Sequence, residues 1–178
     1  MSQSLGKETS LTRSYLGVAA LLVPFLVILV LVRRGTPTPV SDNLALLPPI
    51  FVLVALTAVV LVLAAVVRNV SIIRGQASMR YYETYGDDAP AEWIERPAKT
   101  FNNLFQVPLL FYVVCLLMMV SEEIDSIQVT LAWLFVGTRI AHAFIYIVFN
   151  RVPYRFAAFI AGFITLMVIW GRFASAVA

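Results

Sequence analysis

Long apolar runs alternate with short polar segments along the chain. Five of these runs, at 15–32, 44–67, 101–120, 127–149 and 154–173, reach the length that a helix needs to cross a bilayer, roughly 17–25 residues. A helix satisfies its own backbone groups and is the default way across lipid. The first run is followed by Arg33 and Arg34, with no small-residue cleavage pattern close behind, and reads as a retained helix rather than a signal peptide. The longest polar segment lies between the second and third runs. There the stretch from Arg80 to Glu83 is expected to prolong the second helix beyond the membrane, Gly86 to Pro90 to break it, and residues 91–100 to lead into the third.

Composition sharpens this picture. Of the 178 residues, 61% are hydrophobic and 13% charged, against about 25% charged in a soluble domain. Lipid is therefore the solvent for most of the chain. The net charge of +3 reflects the loops and gives no ground for a nucleic-acid partner. Cys115 is the only cysteine and His142 the only histidine, so an intrachain disulfide is ruled out and a His/Cys metal site has no donor set.

Charge also orients the spans. Five crossings put the N-terminus, the 68–100 loop and the 150–153 turn on one side. That side carries Lys7, Arg13, Arg68, Arg74, Arg80, Arg96, Lys99, Arg151 and Arg155. The other carries Arg33, Arg34 and Arg172 beside Glu122, Glu123 and Asp125. The positive-inside rule makes the first side cytoplasmic, and the plain pattern fits a bacterial inner membrane.

The chemistry-bearing residues are the polar ones inside apolar runs, where an ionisable group is costly. In the fourth run Arg139, His142 and Tyr146 stand at i, i+3 and i+7, on one helical face. Arg96, Lys99, Asn103 and Gln106 likewise share a face leading into the third. The fifth opens with Arg151, Pro153, Tyr154 and Arg155. Three helices thus bring polar groups to one depth on one side. Arg155 lies near a helix N-terminus, where the macrodipole disfavours a cation, which suggests an anion nearby, with snorkelling to lipid phosphates as the alternative. No acid lies deep in a run and no inverted repeat is visible, against a proton relay or a secondary transporter.

Two segments carry a family resemblance. Gly137-Thr-Arg139-Ile-Ala-His142-Ala-Phe-Ile-Tyr146, followed by Arg151-Val-Pro153-Tyr-Arg155, resembles the third-to-fourth helix signature of the MAPEG family of membrane-associated glutathione and eicosanoid enzymes. Glu95-Arg96, Lys99 and Asn102-Asn103-Leu-Phe-Gln106-Val-Pro108 resemble its second helix. The likeness covers residues ~45–173. It implies an all-α integral membrane fold, a four-helix transmembrane bundle over 44–178, with residues 1–43 as an extension bearing an extra N-terminal transmembrane helix. It further implies a homotrimer with glutathione between neighbouring subunits, and a lipophilic small molecule, an electrophile or peroxide, entering from the bilayer.

Carried over by position, Arg155 matches the arginine that stabilises the thiolate. Asn103, His142 and Tyr146 match glutathione-contacting or structural positions. Arg96 and Arg139 match supporting arginines, and Lys99 an arginine of many members. The two carboxylates of glutathione call for cations such as Lys99, Arg96 and Arg151. This sequence departs from the family at Gln106, where the usual residue is glutamate, at Asn102 in place of an arginine, and at Phe156 in place of the hydroxyl residue of prostaglandin E synthases. Arg74 and Arg80 are both candidates for an arginine donated across the subunit interface. The expected function is a thiol-dependent transferase or peroxidase with glutathione as cosubstrate. The alternative is a non-catalytic scaffold, complex subunit or lipid-binding protein on the same fold, with the N-terminal helix docking a protein partner.

Overall fold

The structure, a computed structural model, describes residues 2–86 and 88–178, with side chains from Leu16 onward. The side chains of Lys7, Arg13 and Tyr15, which enter the charge count and the first apolar run, lie outside the described residues, as does Asp87 in the proposed helix break. Six α-helices follow one another: α1 (Ser2–Arg34), α2 (Leu47–Ile73), α3 (Met79–Thr84), α4 (Glu92–Val120), α5 (Ser126–Phe144), which continues as a π-helical turn (Ile145–Phe149), and α6 (Val152–Val177). Among the described residues, five helices are long and apolar enough to cross a membrane, at the five expected places. Large apolar side chains such as Phe51, Val59, Leu109 and Leu116 stay exposed around the bundle. In water such a surface would be a liability, whereas in lipid it is the ordinary exterior.

Helix α2 packs chiefly on α4, and α5 on α6. The two pairs meet through fully buried Leu53, Phe111, Leu131, Phe135, Leu166 and Ile169, and the rings of Phe111 and Phe135 stack at 4.6 Å. Local signals set the ends. Pro48 and Pro49 occupy the first turn of α2, where the missing N–H costs nothing. Asp125 and Gln128 form a reciprocal capping box on α5, with bonds of 2.8 and 2.9 Å. Glu92 and Glu95 stand in the first turn of α4, favourable to its dipole.

One boundary corrects the sequence reading. Residues 80–83 do not prolong α2, which ends at Ile73, and α3 is a separate short helix. The stop is Gly75, at φ +69°. It lets its own N–H reach the Ile72 carbonyl, and that of Gln76 the Ser71 carbonyl, at 2.9 and 2.8 Å. This pair of bonds is a Schellman cap. Tyr82 on α3 then donates to Glu95 at 2.9 Å, while Arg68 sits 4.2 Å from the Tyr82 ring centroid. Burial, reinforced by Glu95, holds the Tyr82 phenol above its ordinary value of 10.0, so this link stays protonated at physiological pH.

The extra helix lies along the bundle in parallel with α6. Leu29 is buried, and Phe25 and Val32 pack against the core. At the other end Gly17 approaches Tyr154 so closely that a Cβ would stand 2.5 Å from the phenol oxygen. The segment after α1 is tied to the α4–α5 turn. Thr38 bonds Ser126 through both hydroxyls at 2.9 Å, and the Val40 N–H reaches the Ile124 carbonyl at 3.2 Å.

Candidate functional site

The polar residues of the apolar runs meet where α4, α5 and α6 converge near the 150–153 turn. Asn103, His142, Tyr146 and Arg155 line one cavity of about 230 Å³, with Phe156 and Phe159 as apolar walls. The π-helical turn carries Tyr146; such turns occur preferentially at functional sites. The Arg155 guanidinium lies 4.0 Å from the Tyr146 ring centroid and donates to Asn150 Oδ1 at 2.7 Å. Asn150 in turn donates to Glu92 at the start of α4. Asn150 thereby links Arg155 to the Glu92 carboxylate through its side-chain amide. A guanidinium has five N–H donors, and the Asn150 bond leaves others to face the cavity.

Asn150 and Glu92 were not among the sequence candidates. Asn150 adopts φ +44°, a left-handed conformation that asparagine tolerates better than most residues. An asparagine just before Arg-x-Pro was the available signal for a helix stop. Glu92, 58 positions away in sequence, carries no local sign of this contact.

His142 and Arg139 back the cavity from α5. His142 Nδ1 is 3.0 Å from the Arg155 carbonyl, which locks it against the first turn of α6; its buried Nε2 finds no partner among the described residues. Arg139 is 1% exposed; it does not snorkel, and among the described residues it pairs with no acid. It donates to the carbonyls of Ala158 and Phe159, each at 3.0 Å, between the Phe135 and Phe159 rings. Gly162 makes room, since a Cβ there would collide with the guanidinium. Arg139 thus clamps α5 to α6 behind the cavity rather than lining it.

The remaining sequence candidates lie around this centre. Lys99 and Gln106 are exposed on α4, one turn either side of Asn103 and on the same face. Arg96 is half-buried and pairs with Glu92 at 3.8 Å. Arg151 does not join the cavity. It turns toward α1 and lines a separate apolar pocket with Leu21, Phe149 and Tyr154. Among the described residues no cluster of His, Cys, Asp and Glu could hold a metal ion.

Five apolar helices define an integral, multi-pass membrane protein, with a cavity lined by Asn103, His142, Tyr146 and Arg155 at one end of the bundle. The MAPEG family model matches residues 49–175, and the chain belongs to that family. The match takes in α2 to α6 almost entirely and leaves α1 outside. No curated protein and no solved structure matches the chain.

Proposed function

We propose that this protein is a membrane transferase or peroxidase that uses glutathione against lipophilic electrophiles or peroxides, with Arg155 as the thiolate-stabilising residue. The observation that carries the reading is the Arg155 guanidinium, held by Asn150 and Tyr146 at a cavity shared with Asn103 and His142. Glutathione supplies a thiol and two carboxylates. A thiol of ordinary pKa, about 8.5, is mostly protonated at pH 7, and a fixed guanidinium beside it favours loss of that proton. Tyr146 holds the guanidinium in place, and Asn103 offers an amide to the ligand's polar backbone. Phe156 and Phe159 give the cavity apolar walls, which strengthen each of these interactions.

The cavity in one chain is about 230 Å³, below the ~300–1,000 Å³ of ordinary small-ligand sites. Lys99 and Gln106, exposed beside Asn103, extend the polar surface outward. Both features favour a site completed by a neighbouring copy, in the homotrimer that the family resemblance implies. The positive-inside count supports a cytoplasmic 68–100 loop, and with it a cytoplasmic site in a bacterial inner membrane.

Turnover of a reactive aryl halide with glutathione, by the full chain in detergent, tests the reading. Activity in the native protein that falls by about 10²-fold or more in Arg155→Ala, with assembly unchanged, is the expected result. A second reading, a non-catalytic membrane subunit, is favoured by α1, which lies outside the family match and leaves most of its apolar surface exposed. It predicts intact assemblies with no thiol-dependent turnover in any variant.

A further inference from the structure

A second, larger cavity of about 780 Å³ opens at the opposite end of the bundle, between the end of α1, the start of α5 and the C-terminal half of α6. Its two ends differ in character. Phe163, Ile164, Met167 and Val168 form apolar rungs along α6, and the polar end gathers Arg33, Asp125, Gln128 and Arg172. Phe163 and Met167 are exposed and open the apolar end sideways to lipid. From Phe163 to Arg172 the helix rises about 14 Å, so the apolar rungs run into the bilayer from a polar mouth.

The charges at the mouth do not cancel. Arg172 binds Asp125 at 2.6 Å, and Gln128 is engaged in the α5 capping box. Arg33 has no acidic partner among the described residues. The mouth thus holds one uncompensated cation. The chain just after it is anchored, because the Thr38–Ser126 and Val40–Ile124 bonds tie that segment to the α4–α5 turn. Gly171 lies between the polar mouth and the apolar rungs. A Cβ there would meet nothing within 4 Å, which leaves the middle of the cleft open.

We propose that this cleft binds an anionic amphiphile: an acyl chain along the α6 rungs, ending in a phosphate or carboxylate held by Arg33. The site depends on α1, which supplies Arg33. It lies some 17 residues of α6 away from Arg155, at the other membrane face, and is independent of any thiol chemistry.

The test uses the full chain, delipidated in detergent and titrated in native mass spectrometry with phosphatidylglycerol, oleate or phosphatidylcholine. One anionic lipid per chain is expected, with phosphatidylcholine, whose phosphate is offset by its own choline cation, binding at least about tenfold weaker beside the uncompensated Arg33. Arg33→Glu should weaken the anion by a similar factor. Arg34→Glu, at the neighbouring exposed arginine outside the cleft, should leave it unchanged. Gly171→Leu should abolish binding by filling the cleft, without unfolding the chain, because leucine is the better helix former. Binding of phosphatidylglycerol alone, oleate alone or both supports the site and identifies the source of the anion. Equal binding of phosphatidylcholine, or equal loss in the Arg33 and Arg34 variants, overturns it.

Discussion

Arg155 and Arg139 both stand at the junction of α5 and α6, and they do different work. Arg139 spends one terminal nitrogen, Nη2, on two helix carbonyls and is walled by aromatic rings. Arg155 is held at one edge, by Asn150 and Tyr146, and lines the cavity. Arg139→Ala should therefore act on stability, costing about 2–5 kcal/mol as a large buried side chain is truncated. Its midpoint of thermal denaturation in detergent should fall well below that of Arg155→Ala; equal midpoints would contradict the assignment. Asn150→Val should lose both links of the Glu92–Asn150–Arg155 relay and add about 1–2 kcal/mol of left-handed strain. Glutathione turnover in that variant should fall with a larger loss than in Asn150→Gly, which keeps the backbone conformation. The difference between Arg139 and Arg155 could not be read from sequence. The i, i+3, i+7 spacing identifies Arg139, His142 and Tyr146 as one polar face, and Arg155 is recognisable as a cation at a helix start. Backbone carbonyls are acceptors everywhere, however, so no side-chain pattern announces that Arg139 would be consumed by them.

At the scale of elements, the spans were legible because lipid demands an uninterrupted apolar length, and all five helices stand where the apolar runs predict. The end of α2 was not. Residues 80–83 continue a helical composition, and a single glycine decides the break through a conformation that composition does not report. Gly75→Val should remove the Schellman cap and cost about 1–2 kcal/mol through strain at positive φ. Limited proteolysis of the 74–90 segment should accelerate in that variant, and an unchanged rate would show that the cap is not what fixes α3. Helix α1 is held at one end by the close approach of Gly17 to Tyr154. Gly17→Leu should prise this end of α1 from α6, and a cysteine pair placed across that contact should then fail to crosslink. The 38–40 link would still tether the far end.

For the whole molecule, the two ends of the bundle have distinct chemistry: a site near Arg155 at the end bearing the 68–100 loop, and the α1–α6 cleft at the other. The family membership was legible from the Arg139–Tyr146 and Arg151–Arg155 segments, which the match over 49–175 supports. Arg155 was legible as a cation at a helix start, but that Arg151 turns away from the cavity was not, because the two are four residues apart and composition treats them alike. The helix start between them separates them: Arg151 precedes α6 and turns toward α1, whereas Arg155 sits in its first turn and faces α4. On the proposed reading a neighbouring copy completes the small single-chain cavity. Native mass spectrometry should show a trimer, and dilution to monomer should abolish glutathione binding.

The most direct test of the central claim is calorimetric titration of the assembled protein in detergent with glutathione, beside Arg155→Ala. Binding at millimolar concentrations or tighter, lost in the variant while the assembly persists, is the predicted result. No heat of binding at several millimolar, or equal binding by the Arg155→Ala protein, would contradict a thiol site built on Arg155.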